Sequence, residues 1–171
     1  DLWSYADPGH WNDPDMLVVG NVGWGSELHP SRLTVDEQYT HISLWCLLAS
    51  PLLIGCPLEQ LDDFTRGLLT NDEVLEVNQD SLGQQARRVA KIGDTEVWAR
   101  QLEDRSIAVG LFNRSGISEK TVVVSWDELG IKNSQQIRDL WRQKDLGVYQ
   151  KEFSSKIPIH GVRLLRIIPN E

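Results

Sequence analysis

At Leu82-Gly83 the chain changes character, and that change limits the available folds more than any single motif does. Before it, short apolar runs alternate with stretches of helical length. After it, runs rich in Val, Ile and Trp recur at intervals of about ten residues, punctuated by Gly, Asp and Asn. Charge divides at the same place. Residues 1–83 carry 14 Asp/Glu against only Arg32 and Arg66, a net −12, whereas residues 84–171 carry 11 Asp/Glu against 15 Lys/Arg, a net +4. An acidic first part repels polyanions, so nucleic acid is not an expected partner. No window is long and apolar enough to cross a bilayer, so no membrane is expected either.

In the first part the order is strand, helix, strand, helix, the rhythm of parallel βα units. Met16-Leu17-Val18-Val19 and Leu52-Leu53-Ile54-Gly55 are continuous apolar runs of the kind that form buried parallel strands, over about residues 15–19 and 52–55. Between them Thr34-Val35-Asp36-Glu37 has the form of a capping box, and the helix it starts is expected to run to Pro51. The stretch from Gly20 to Pro30 reads as a Gly-rich polar loop around Trp24. Further helices are expected over about 59–69 and 72–78, the latter capped by Asn71. Two βα units cannot close a barrel, which takes eight. Beyond Gly83 the spacing predicts strands over 87–92, 96–102, 106–113 and 121–126, a helical turn at Asp127-Glu128-Leu129-Gly130, and strands near 136–141, 150–157 and 161–168. Those repeated short strands predict an antiparallel sandwich.

Within this frame the stretch Trp11-Asn12-Asp13-Pro14-Asp15-Met16 carries the chemistry. Asp13 and Asp15 stand two residues apart, and residues i and i+2 of an extended segment share a face. Trp11 offers a flat apolar surface suited to a sugar ring. Spacing alone leaves two readings open, a pocket pair or two turn aspartates ahead of a core strand. His29 and His41 have no partners at metal-ligand spacing, and Cys46 and Cys56 sit in apolar surroundings as small core residues, a disulfide being allowed but not demanded. Asn113-Arg114-Ser115 fits a glycan acceptor triplet.

Several of these motifs together resemble family 27 of the glycoside hydrolases, the α-galactosidases and α-N-acetylgalactosaminidases. Gly9-His10-Trp11-Asn12-Asp13-Pro14-Asp15-Met16-Leu17 is similar to the family's Gly-Gly-Trp-Asn-Asp-Pro-Asp-Met-Leu. Leu44-Trp45-Cys46 with Ala49-Ser50-Pro51-Leu52, then Val77-Asn78-Gln79-Asp80-Ser81-Leu82-Gly83, then Glu96-Val97-Trp98-Ala99-Arg100 and Phe112-Asn113-Arg114 follow in the family's order. His10, Ser81 and the loop from Gly23 to Arg32 depart from the pattern. The resemblance implies an α/β plus all-β chain: residues 1–83 as the last two βα units of a (β/α)8 barrel, residues 84–171 as a C-terminal antiparallel β-sandwich.

It also implies a retaining hydrolase of terminal α-linked galactose-type sugars. Both catalytic aspartates of the family lie on earlier strands than any here, so the catalytic pair is not assigned to Asp13 and Asp15, and the chain alone is expected to be inactive. Carried over residue by residue, Asp15 and Met16 match positions lining the sugar pocket, while Trp11 and Asp13 support the loop. No cofactor or metal is implied. The expected partners are an α-galactoside-type carbohydrate and the upstream half of the barrel, and a secreted or periplasmic setting suits the family. A second reading is a carbohydrate-binding or structural fragment using Trp98, Trp126 or Trp141, residues that equally suit core packing. The sandwich is expected to fold alone, and residues 1–83 to order only against a partner, whether an upstream segment, a second copy or the sandwich itself.

Overall fold

The structure, a computed structural model, describes residues 2–170. The loop after the first apolar run contains a two-residue antiparallel pairing of β1 (Asn21–Val22) with β2 (His29–Pro30), where only loop was expected. Helix α1 (Val35–Leu47) begins as its sequence dictates. The Thr34 hydroxyl accepts from the Glu37 N–H, and the Glu37 carboxylate accepts from the Thr34 N–H. Its end comes before Pro51. Ala49 turns left-handed at φ 52, and the Ala49 and Ser50 amides donate to the Cys46 and Trp45 carbonyls, which closes the last turn. Helices α2 (Asp63–Leu69) and α3 (Asp72–Asn78) are capped by the side chains of Asp62 and Asn71.

The two apolar runs lie side by side in parallel, but they join through one bridge only, Leu17 to Ile54, with the Leu17 N–H donating to the Leu53 carbonyl at 2.8 Å. The run 16–19 is not buried throughout. Leu17 and Val19 are 1% and 0% exposed, packed against the helices, whereas Met16 and Val18 are 40% and 43% exposed on the opposite face. Leu53 and Ile54 are open to a similar degree. A parallel strand becomes apolar on both sides because it is covered on both sides. Here one side is covered by the chain's own helices and the other is not.

Beyond Gly83 lie β3 (Arg87–Ile92), β4 (Thr95–Gln101), β5 (Ile107–Asn113), β6 (Lys120–Ser125), the one-turn helix α4 (Trp126–Leu129), β7 (Gln135–Asp139), β8 (Lys144–Tyr149), β9 (Glu152–Ile157) and β10 (Val162–Pro169). They form an antiparallel six-stranded sheet in the order β3-β4-β5-β10-β7-β8, faced by the pair β6-β9. Strand β8 was not foreseen. Its sequence is polar and carries Gly147 at φ 110, so it lacks the alternating apolar signal. Ser125 and Glu128 make a second capping box on α4, and Gly130 at φ 68 ends that turn.

The large sheet is covered on both faces. Val109 and Leu111 of β5 pack toward β6-β9 with Val122, Val124, Trp126 and Phe153. Ala108 and Phe112, pointing the other way, join Leu164 and Leu140 in one core with Ile42, Leu47, Val74 and Val77 of the helices. This explains why β5 is buried at every residue. Gly110 sits where α1 crosses: a Cβ there would fall 2.7 Å from the Leu47 Cδ1 and closer still to the Phe112 ring. Two arginines reinforce the contact. Arg138 grips Glu73 of α3 through two hydrogen bonds of 2.6 and 2.7 Å, and Arg166 reaches Glu76 at 3.1 Å. The helices of the first part therefore pack directly against the sandwich.

Candidate functional site

The Trp11–Val18 arm is irregular and heavily anchored. The Trp11 indole donates to the Gly83 carbonyl at 3.1 Å, and the Asn12 amide donates to Gln85 at 2.7 Å, tying the arm to the junction with the sheet. Asp13 accepts from the Asp15 N–H at 2.9 Å, and the Asp15 carboxylate accepts from the Met16 N–H at 2.7 Å. Asp15 itself has φ 75, in the left-handed region that non-glycine residues seldom occupy. The expectation that Asp13 and Asp15 share a face rests on extended backbone, and the turn at Asp15 removes that geometry. Asp15 also precedes the Leu17 bridge, so the rule placing barrel functional groups at the C-terminal ends of strands does not by itself select it.

A largely apolar cleft of about 730 Å³ lies beside this arm, bounded by Asp15, Met16, His41, Trp45, Phe112 and His160. The sequence offers His41 no partner at metal-ligand spacing and gives Trp45 a place only within a motif. In the structure the Trp45 indole donates to the Asp15 carbonyl at 3.1 Å, and His41 Nε2 accepts from the Val18 N–H at 3.0 Å. Burial pushes the His41 pKa down to about 4, so the ring is neutral near pH 7, with its proton on Nδ1. The spacing of four on one helix was the available signal. Across the cleft, His160 Nδ1 meets Glu37 at 2.8 Å. Hydrogen bonds from the Thr34 backbone and from His160 hold the Glu37 carboxyl below its ordinary range.

Other motifs are taken up by packing. Trp126 is buried, Trp141 donates to Ser43 and stacks edge-on with Tyr39, and the Trp98 indole donates to Glu96. Trp98 and Trp141 are half-buried, packed against the core shared by the helices and the sheet. Burial would raise the Glu96 pKa, but hydrogen bonds from Trp98 and Arg114 hold it below the usual carboxylate range. Arg100 is fully buried under the end of α1 and donates to the Cys46 carbonyl at 3.1 Å. The Asn113 amide donates to the carbonyls of Ser118, Ile157 and Pro158, so in the folded chain it is no glycan acceptor. Cys46 and Cys56 are free, and burial raises the Cys46 thiol to about 12. Among the described residues no three His, Cys, Asp or Glu side chains gather as a metal site.

Two parallel segments feeding helices, with an antiparallel sandwich packed behind them, are the last two βα units of a (β/α)8 barrel joined to a C-terminal β-sandwich. Comparison with known proteins agrees along the whole length. Residues 1–80 match the family model described as Alpha galactosidase A, and residues 92–167 match the Alpha galactosidase C-terminal beta sandwich domain. The alpha-galactosidase of Cyamopsis tetragonoloba is 42% identical over 167 residues, covering 96% of this chain and 38% of that protein. Alpha-galactosidase 2 of Arabidopsis thaliana is likewise 42% identical over 167 residues, 96% of this chain and 40% of its own length. Among solved structures, a GH27 β-L-arabinopyranosidase from Geobacillus stearothermophilus superimposes with a TM-score of 0.88 at 37% identity, over 94% of this chain and 38% of that one. Alpha-galactosidase I from Mortierella vinacea gives 0.88 at 31% identity, over 99% and 42%. The chain belongs to glycoside hydrolase family 27, and it spans about two fifths of the length of these relatives.

Proposed function

We propose that this chain is the closing portion of a retaining α-galactosidase-like hydrolase, and that it supplies sugar-positioning groups rather than the reacting ones. Asp15 and Met16 contact the sugar, Trp11 and Asp13 hold the arm that presents them, and the nucleophile and acid/base lie upstream on other strands. The division is residues 1–83 for the barrel portion and 84–171 for the sandwich. The partners are an α-galactoside-type carbohydrate and the upstream barrel half. One observation carries the reading: the left-handed Asp15 is held by hydrogen bonds on both its N–H and its C=O, at the wall of an open cleft. Strained, over-anchored backbone of this sort concentrates at binding sites. The names of the relatives supply the chemistry.

A retaining glycosidase needs two carboxyl groups about 5–5.5 Å apart, one attacking the anomeric carbon and one transferring a proton. Here each aspartate of the arm uses an oxygen on a local backbone amide. The purified chain, assayed with a nitrophenyl α-galactoside, is expected to show no turnover. Supplying the upstream barrel portion of a relative should restore it, and Asp15→Asn should then lower kcat/KM far more than it lowers the melting temperature. Turnover by the chain alone that Asp15→Ala abolishes would overturn the assignment.

A further inference from the structure

The loop that departs from the family's pattern has a closed shape. It leaves the first apolar run at Gly20 and returns at Ser31. There the Ser31 N–H donates to the Gly20 carbonyl at 2.7 Å, and the Ser31 hydroxyl donates to the Val18 carbonyl at 2.6 Å. Between these closures β1 pairs with β2, Asn21 opposite Pro30 and Val22 opposite His29. At the tip two glycines flank Trp24. Gly23 has φ 116, and a Cβ there would fall 2.5 Å from the Glu27 carbonyl oxygen; Gly25 has φ 58. The Glu27 N–H donates to the Trp24 carbonyl at 3.0 Å and completes the turn. On this fixed tip Trp24 is 82% exposed, against 44% for Trp3 and 41% for Trp11, the next most open tryptophans. Ordering such a loop costs conformational entropy, yet its largest apolar side chain stays in water.

The hairpin follows the C-terminal end of the 16–19 run, and in a (β/α)8 barrel the loops at that end surround the active site. The Asn21 amide donates to Gln60 at 3.1 Å, which draws the hairpin over the segment after the second apolar run. It does not lean over the open flank of the 16–19 run, where an upstream strand closes the barrel. Leu17 and Val19 pack toward the helices, so Met16 and Val18 point to the barrel interior. A hydrolase of terminal sugars seats the terminal ring deepest, and the rest of the substrate, joined through the anomeric carbon, leaves by the mouth. We propose that Trp24 is a specificity-determining residue, whose indole face stacks on the leaving-group sugar of an α-galactosyl oligosaccharide. This rests on the proposed function for the reaction and deepens it. Asp15 and Met16 meet the galactose-type ring, and Trp24 meets what is attached to it.

The test complements the full 171-residue chain with the upstream barrel portion of a relative. Two substrates are compared: melibiose, whose leaving group is glucose, and methyl α-galactoside, whose leaving group has no ring. Trp24→Ala should lower kcat/KM for melibiose about tenfold, through KM, and leave the methyl glycoside unchanged. Trp24→Phe, with a smaller ring, should fall between Trp24→Ala and wild type on melibiose. In the complemented wild type, labelled for NMR, melibiose should shift the Trp24 indole N–H signal and methyl α-galactoside should not. Equal losses on the two substrates, or weaker association of the Trp24→Ala chain with the upstream portion, make the ring a packing element and overturn the proposal. Absence of turnover in the complemented wild type counts against the proposed function, and the indole signal then decides this inference. A shift by melibiose alone upholds the leaving-group site, and no shift overturns it.

Discussion

Replacing Gly110 with alanine probes the contact that joins the helices to the sheet. The added Cβ would lie 2.7 Å from the Leu47 Cδ1, against the 3.5–4.0 Å at which carbon atoms ordinarily rest, and the Phe112 ring stands closer still. Either α1 lifts from β5 or Phe112 leaves its rotamer. Overpacking of this kind costs about 1–3 kcal/mol. Lower chain entropy in the unfolded Ala variant returns about 0.4–1 kcal/mol, leaving a net loss of about 1–2 kcal/mol. Urea unfolding followed by tryptophan fluorescence reads this as a midpoint lowered by about 0.5–1 M, for a slope near 2 kcal/mol/M. Leu47→Ala alone should cost about 2–5 kcal/mol, and less when Gly110→Ala is already present. Additive losses in the double variant, or a Gly110→Ala chain as stable as wild type, would refute a tight seat for α1 on β5.

Asn113→Asp turns a donor toward three carbonyl oxygens into an acceptor, stranding them beside a buried charge. The expected loss is about 3–5 kcal/mol at pH 7 by chemical denaturation, narrowing as acid protonates the new carboxyl. Arg138→Leu should cost about 1–3 kcal/mol, because it breaks the paired hydrogen bonds to Glu73 across the helix–sheet seam; a melting temperature within error of wild type would count against that seam. His41 is neutral when folded, with a pKa of about 4 against 6.5 for the free side chain, so the unfolded chain binds more protons between those values. Stability should therefore fall as pH drops from 6.5 toward 4, and the His41→Gln variant should show a shallower slope over the part of that window above pH 4.5, before Glu37 titrates.

Local signals that close on themselves were legible from the residues. Thr34 with Glu37 announces the start of α1, Asn71 caps α3, and the runs rich in Val, Ile, Leu and Trp in β4, β5 and β10 mark strands without help from elsewhere. Features decided by distant partners were not. The run at 16–19 reads as doubly buried, but the share of burial each face receives depends on what surrounds it. The end of α1 came early because Ala49 accepted a left-handed turn that nothing in its side chain advertises. At the site, Asp15 and Met16 were reached through the ordered motifs rather than through spacing, since the i, i+2 argument fails once the backbone turns. His41 and Trp45 escaped notice for a physical reason: their partners are main-chain groups 23 and 30 residues away, and main-chain groups leave no trace in the order of side chains.

The core that runs from Leu17 and Ile42 through Phe112 to Leu164 sets limits on how such chains can be recombined. A chimera cut at Gly83 would pair the sheet of one relative with the helices of another across a seam whose fit depends on Leu47 meeting a glycine in β5. A transplanted sandwich would need α1 and α3 to travel with it, or else matched replacement of the residues on its helix-facing side. The covalent junction and the mechanical one lie in different places, and only the second is a workable splice point.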